Sequence, residues 1–154
     1  IIALEEKKLL GKRLEMSIIN NKTGMLWGSF APRIKEIGNR VNTDKISMQV
    51  YDALYYQEFS PTRSFEKWAT VEVSSLESIP DGMESFVLEA GQYAVFDYKG
   101  SSSDTSIFEY IFGEWFPNSP YTIDNRPHFE VLGNRYKNND PNSEEEIWIP
   151  IKEK

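Results

Sequence analysis

Apolar and polar residues alternate in several stretches of the chain, which is the pattern of half-buried β-strands. These stretches are residues 14–20, 46–51, 66–75, 84–89, 92–98, 128–132 and 145–151. In the last of them Pro150 lacks a backbone donor, so we expect that strand to lie at a sheet edge. Polar or proline-rich connections separate the strands, including a loop over 120–127 and a polar segment over 134–143.

Two other stretches have apolar residues every three to four positions, which is typical of amphipathic helices. The first, near 24–37, contains the stripe Leu26, Phe30 and Ile34. Pro32 within it predicts a kink or two short pieces. The second, near 103–115, follows a cluster of capping residues over 100–104 and ends at Pro117. Its stripe consists of Ile107, Ile111 and Trp115.

The order of elements occurs twice, over about 10–79 and 83–152, with a Pro-Asp-Gly turn between the halves. Each half runs strand, helix, strand, long connection, strand. Phe30 precedes Gln49 by 19 positions and Phe112 precedes Glu130 by 18, so the two halves align. The chain therefore predicts one α+β domain over 1–154. Its two pseudo-twofold βαββ repeats form one antiparallel concave sheet with two main helices on one face.

Composition narrows the function classes. The 154 residues include no cysteine and one histidine, which removes thiolate metal sites, disulfides and a cysteine nucleophile. We expect neither a metal nor a cofactor. With 17 basic and 24 acidic residues the formal charge is -7, so this chain alone should not bind nucleic acid. No signal peptide or membrane-length apolar run is visible, and we expect a cytoplasmic protein without a membrane partner.

The second half carries a set of motifs that resembles the GyrI-like effector-binding domain. This domain is the ligand-sensing part of bacterial AraC-type and MerR-type transcription activators, and it also occurs as stand-alone proteins. The similarity extends over about residues 10–152. Its motifs are Gly-Gln-Tyr-Ala-Val-Phe at 91–96, Gly-Glu-Trp-Phe-Pro-Asn-Ser at 113–119, Arg-Pro-His-Phe-Glu-Val at 126–131 and Glu-Glu-Ile-Trp-Ile-Pro-Ile at 145–151.

The resemblance implies the two-repeat sheet with two helices and a pocket on the sheet face away from them. That pocket would be lined by aromatic residues and contain a buried glutamate at the Phe-Glu-Val position, here Glu130. Pro120 departs from the glycine that family members often carry there, which implies a stiffer loop. The resemblance also implies a DNA-binding domain or a protein partner, and it leaves the oligomeric state open.

Strand alternation gives an independent assignment of faces. We expect Phe129 and Val131, together with the isoleucines of 147–151, to meet the helices. Glu130 and Trp148 would then lie on the opposite, concave face. The predicted ligand-binding set on or beside this face is Glu130, Trp148, Tyr51, Tyr93, Tyr110, Trp115 and Gln49.

Several of these residues have simpler interpretations. Glu130 on an edge strand would lie in water or pair with Arg126. Trp115 fits a core position as well as a pocket rim. His128 is interpreted as a half-exposed residue at a strand start, because no second metal ligand accompanies it. Trp27 and Trp68 are assigned to the core, and the glutamates at 144–146 to a solvated strand entry.

Three functions compete on this evidence. The favoured one is a module that binds or senses a small hydrophobic or cationic ligand, because a carboxylate among aromatic rings attracts a lipophilic cation. The second is a small hydrolase of strained or electrophilic compounds, with Glu130 as a general base. The third is an inhibitor module that binds another protein.

Overall fold

The computed structural model describes residues 1–56, 58–101 and 104–154. Within these described residues, nine strands and two helical regions follow one another. The strands are β1 (Ile2–Leu4), β2 (Lys7–Met16), β3 (Lys45–Val50), β4 (Phe65–Val73), β5 (Glu84–Leu88), β6 (Gly91–Lys99), β7 (Tyr121–Ile123), β8 (His128–Leu132) and β9 (Glu144–Glu153).

Both helical regions change their type of winding part-way. The first is α1 (Thr23–Phe30), which continues as a 3-10 helix (Ala31–Glu36), and Pro32 lies at the start of that second piece. The second is α2 (Ser106–Tyr110), a π-helical segment (Ile111–Trp115) and α3 (Phe116–Asn118). The break at Pro32 confirms the predicted pair of short pieces. The predicted start at 103 and part of the capping cluster lie outside the described residues.

The strands pair antiparallel in the order β1-β6-β9-β8-β3-β4-β2-β5, and β7 pairs with β9. This order is symmetric about the β3–β8 pair, since β9, β6 and β1 follow β8 outwards as β4, β2 and β5 follow β3. The predicted α+β fold with two pseudo-twofold halves is confirmed. The outermost strands are exchanged between the halves. β1 comes before the first half but pairs with β6 of the second, and β5 follows the first half but pairs with its strand β2.

The pseudo-twofold axis passes through the paired residues Met48 and Phe129, which are both buried. The same symmetry relates Trp68 on β4 to Trp148 on β9. Each of these indoles donates from Nε1 to the glutamate two residues earlier, Glu66 and Glu146 respectively. The two halves thus share local side-chain chemistry as well as topology.

Both helices cover the same face of the sheet, as the sequence predicts. The first helical region places Leu26, Phe30 and Ile34 against Leu10 and Val71. The second places Ile111 and Phe116, with half-buried neighbours, against the isoleucines of β9. These apolar contacts bury the helical stripes, which is the main source of stability for short helices.

The opposite face of the sheet is occupied by the protein's own side chains. Leu4 and Leu88 from the outermost strands pack in one cluster with the central residues Met48, Trp68 and Phe129. Residues from both sheet edges meet in this cluster only because the sheet curls around it. The inside of the curl is therefore a packed core, and the predicted open pocket on the face away from the helices is wrong.

Three predictions about strands also need correction. The strand predicted at 14–20 begins earlier, at Lys7, and the loop predicted over 120–127 contains β7. Pro150 is not on an edge strand, because β9 pairs with β6 on one side and with β8 and β7 on the other. The Pro150 carbonyl accepts from Asp124 on that second side, beyond the last β8 pair at Trp148. The backbone nitrogen of Pro150, which carries no hydrogen, thus faces the gap between β8 and β7.

Gly11 allows the close approach of β2 and β4. A Cβ at this position would run into the backbone of Ala69 and Thr70. Gly11→Ala should therefore lower the free energy of unfolding by about 1–3 kcal/mol. Gly28→Ala in α1 is the matched control, because a Cβ there meets no atom within 4 Å.

The control variant should gain about 0.5–1 kcal/mol from its better helix propensity. Denaturant unfolding of the two variants beside wild type measures both changes. Equal stability of Gly11→Ala and wild type would contradict the described packing of β2 on β4.

Candidate functional site

A cavity of about 470 Å³ lies on the helix-covered face of the sheet. Its floor comes from the central strands β4, β3, β8 and β9. Residues of the connection between β3 and β4 and of the second helical region form its walls. The aromatic lining consists of Tyr51, Tyr55, Tyr56, Phe59, Phe65, Phe108, Phe112, Phe129 and Trp148, and the other titratable or amide residues of the lining are Asn21, Gln49, Lys67, His128 and Glu130.

The aromatic wall is supplied mainly by the connection between β3 and β4. Arg63 holds this segment by donating to Asp52 at 2.9 and 3.1 Å and to Glu58 at 3.3 Å. The ring centroids of Tyr51 and Tyr55 lie 4.3 Å apart, and Tyr56 stacks on His128 at 5.6 Å. The wall is therefore a set of mutually packed rings attached to the end of β3.

The polar floor is built by register. Gln49 pairs with Lys67 on one side and with His128 on the other, so these side chains project to the same face. The Gln49 side chain satisfies both neighbours when its amide nitrogen donates to the His128 carbonyl oxygen at 3.1 Å and its oxygen accepts from Lys67 Nζ. Gln49 thus connects β4 to β8 across β3.

Three charged groups meet on the cavity side of these strands. Burial lowers the pKa of Lys67, while the attraction of Glu130 and Glu145 opposes that effect. Burial, together with repulsion from Glu130, raises the pKa of Glu145 to about 7. Beside the Glu130 carboxylate, the amine of Lys67 and the carboxyl of Glu145 therefore both have pKa values shifted toward neutral pH.

The aromatic side of the cavity holds neutral groups. Burial lowers the pKa of His128 to about 3, so the ring is uncharged at neutral pH. Burial also raises the pKa of the Tyr51 and Tyr56 hydroxyls, which are hydrogen-bonded to each other. The walls thus offer rings and neutral hydroxyls, and the floor alone carries charge.

The structure places four predicted site residues in the lining of this cavity, namely Glu130, Gln49, Tyr51 and Trp148. Arg126 donates to Asp124 at 2.8 Å and to backbone carbonyls of β6 and β9, which argues against the pairing with Glu130. His128 is buried, so the prediction of a half-exposed residue is wrong.

Trp148 and Tyr93 do not share a face with Glu130. Phe129 is the register partner of Trp148, whereas Glu130 is the partner of Ile147. The Trp148 ring stacks on Phe129 at 5.1 Å and lies 5.8 Å from Tyr93 inside the curl. Phe129 and Val131 therefore face away from the helices, and the predicted face assignment of β8 is reversed.

The two remaining predicted site residues lie outside the lining. Tyr110 is an exposed residue of α2. Trp115 packs at 5.3 Å against Phe96 and at 6.3 Å against Tyr121, in the cluster beneath the second helical region. These contacts favour the core alternative for Trp115.

Sequence reasoning missed Lys67 and the ring residues Tyr55, Tyr56 and Phe108. A signal for Lys67 existed, because it alternates in step with Ala69 and Val71 on β4, and both of these are fully buried. Tyr55 and Tyr56 belong to a segment without strand alternation, and Phe108 lies beside the predicted helical stripe, not on it, so no periodicity marked these rings as pocket residues.

Within the described part of the chain, no group of three or more histidine or acidic residues has the geometry of a metal site. No helix among those same residues is long and apolar enough to cross a membrane.

Comparison with known proteins gives a family match over nearly the whole chain. The model of Cass2, described as integron-associated effector binding protein, matches residues 1–151. The transcriptional regulator BrlR of Pseudomonas aeruginosa is 31% identical over 134 residues, which cover 83% of this chain and 46% of BrlR. The chain thus spans about half the length of that curated relative.

Two solved structures share the fold at 15% sequence identity. The integron cassette protein VCH_CASS2 from the mobile metagenome of Vibrio cholerae has a TM-score of 0.66, covering 98% of this chain and 94% of that one. SAV2435, solved bound to tetraphenylphosphonium, has a TM-score of 0.67, with coverage of 98% and 92%. At this identity the likeness concerns the fold alone.

Stability between pH 5 and 7 should depend on His128 and Glu145 in opposite ways. Below the ordinary histidine pKa of about 6.5, His128 is protonated in the unfolded chain but stays neutral in the folded protein. Acidification therefore lowers the free energy of unfolding, by at most about 1.4 kcal/mol per pH unit. Folded Glu145, with a pKa of about 7, keeps a proton that the unfolded carboxyl has lost, so it favours the folded state at lower pH.

Denaturant unfolding at several pH values tests this pair of signs. His128→Gln should reduce the loss of stability on acidification, and Glu145→Gln should increase it. Lys67, Glu130 and Tyr98 remain as the charged or titratable groups that act on Glu145. If the slope of unfolding free energy against pH changed in the same direction in both variants, the opposite roles of His128 and Glu145 would be refuted.

Proposed function

Because the chain belongs to the Cass2 family of integron-associated effector binding proteins, we propose that it binds a small aromatic compound in the cavity between its two helical regions. The resemblance to GyrI-like effector-binding domains drawn from the motifs is thereby confirmed, and the chain is related to effector-binding parts of transcription regulators. The aromatic-walled cavity with a buried polar floor is the observation that carries the proposal.

The dimensions and chemistry of the cavity fit this role. Pockets for drug-sized compounds are commonly 300–1,000 Å³ and mostly apolar, with a few polar groups that orient the ligand. Here the rings of Tyr55, Phe65 and Phe108 offer stacking surfaces, and Gln49 and Glu130 supply hydrogen-bonding groups. Ligand rings would gain free energy from apolar burial and from contacts between aromatic faces and edges.

A cationic ligand is one narrower form of the same proposal, and it competes with an uncharged aromatic ligand for the same cavity. SAV2435 was solved with a lipophilic cation, and Glu130 provides a carboxylate among rings in this chain. Cation–π attraction would add to the charge interaction.

We further propose that a DNA-binding domain or another protein receives the ligand signal. BrlR is a transcriptional regulator more than twice as long as the matched segment. The formal charge of -7 opposes direct contact of this chain with phosphates.

Hydrolysis is the second candidate, since the Glu130–Glu145 pair includes a carboxyl with a pKa near that of a general acid or base. Its weakness is geometric. Glu130 lines the cavity between the helical regions, whereas Glu145 lines a neighbouring cavity with Asp97 and Arg135. The two carboxyl groups are hydrogen-bonded to each other, so Glu145 is turned toward Glu130 and away from a compound in the aromatic cavity. Binding without turnover is therefore the better supported function.

A fluorescence titration with Nile red, an uncharged aromatic dye, tests binding at this cavity. Phe108→Ala removes a wall ring that stacks on Phe112 at a centroid distance of 6.5 Å. It should weaken binding about tenfold, because burial of one aromatic side chain is worth about 1.5–3 kcal/mol and part of that burial remains. Tyr110→Ala in the same helix is the matched control and should leave affinity within about twofold.

Saturable binding that is weakened by Phe108→Ala alone supports the proposal. Equal effects of the two substitutions would place the dye elsewhere on the protein. Absence of saturable binding to wild type would contradict an aromatic effector site.

A further inference from the structure

Lys67 is a buried lysine in a position where the fold favours an apolar residue. It is only 8% exposed and projects to the same face as Ala69 and Val71. The pseudo-twofold axis relates it to Ile147, which supplies an apolar side chain to the same cavity floor from β9. Burying an ammonium costs free energy that an isoleucine would not. The first half of the chain therefore departs from its own repeat at this point.

Lys67 contacts Gln49 and lies within electrostatic reach of the carboxylates of the floor. Its Nζ donates to Gln49, which in turn holds the His128 carbonyl oxygen. Glu130 and Glu145 both act on it by charge attraction. An ammonium has three donors, so after the bond to Gln49 it still has donors for an acceptor atom of a ligand.

We propose that Lys67 is the specificity-determining residue of the cavity: it neutralises Glu130 from within and selects uncharged aromatic compounds that carry a hydrogen-bond acceptor over lipophilic cations. This inference rests on the proposed function, and it narrows the class of ligand.

The charge of the amine supports it. The two carboxyls carry at most two negative charges, and the amine reduces that magnitude by as much as one unit. A bound cation would lie close to the ammonium as well as to Glu130, so repulsion offsets part of its attraction to the floor. A neutral acceptor instead gains a charge-assisted hydrogen bond from Nζ.

A pair of isosteric probes separates the two classes of ligand. Methyltriphenylphosphonium and triphenylphosphine oxide share three phenyl rings on phosphorus. One carries a methyl group and a positive charge, and the other a neutral phosphoryl oxygen that accepts hydrogen bonds. Isothermal titration at pH 7.5 with wild type should show the oxide binding at least about fivefold more tightly than the cation.

Substitutions at Lys67 should reverse that order. Lys67→Met removes the amine while keeping an apolar chain, and it should raise affinity for the cation about tenfold while lowering affinity for the oxide. Adding Glu130→Gln to Lys67→Met should abolish the gain for the cation. Lys67→Gln, which retains hydrogen-bonding groups without charge, should behave as Lys67→Met does toward the cation.

The exposed Lys8 provides a surface control with the same change in net charge, and Lys8→Met should leave both affinities unchanged. If wild type binds the cation as tightly as the oxide, Lys67→Met brings no gain, and Glu130→Gln alone costs about tenfold, then Glu130 is a free cation anchor. That outcome overturns this inference and leaves the proposed function intact. Failure of every variant to bind either probe overturns the proposed function itself.

Discussion

The pairing of β3 with β8 is the contact on which the rest of the molecule depends. Met48 and Phe129 meet on the pseudo-twofold axis, so each half of the sheet is built outwards from this pair. The same register fixes which side chains face the helices. Because Ser47 pairs with Glu130 and Gln49 with His128, the polar residues of both central strands gather on one side. A shift of one residue would exchange the polar floor for the buried core.

The two faces of the sheet serve different purposes. The inside of the curl is packed with large apolar side chains from the centre and from both edges, and this packing stabilises the domain. The helix-covered face is apolar beneath each helical region but contains Lys67 and Glu130 between them. The buried Lys67 and the half-buried Glu130 are retained at a cost in stability, which is the pattern expected of a site under functional constraint.

Much of the fold could be predicted from the chain, because strand alternation and helical stripes are local signals. Leu26, Phe30 and Ile34 are all buried as their spacing predicts. The site was harder to predict from the sequence. Alternation within a single strand, β8 or β9, does not determine the register between the two strands. The pairing of Phe129 with Trp148 is a tertiary fact, and without it Glu130 was assigned to the wrong face. A lysine between Glu66 and Trp68 likewise suggests a solvent-exposed side chain. Its burial follows only from the alternation with the buried residues Ala69 and Val71.

The central claim is that a ligand binds on the helix-covered face above the β3–β8 pair, with Lys67 as its polar contact. A crystal structure of the protein with triphenylphosphine oxide tests this claim most directly. The account predicts phosphorus between the two helical regions, rings against Tyr55 and Phe108, and the phosphoryl oxygen within hydrogen-bond distance of Lys67 Nζ. A ligand inside the curl beside Trp148 and Tyr93, or one whose oxygen points away from Lys67, would contradict it.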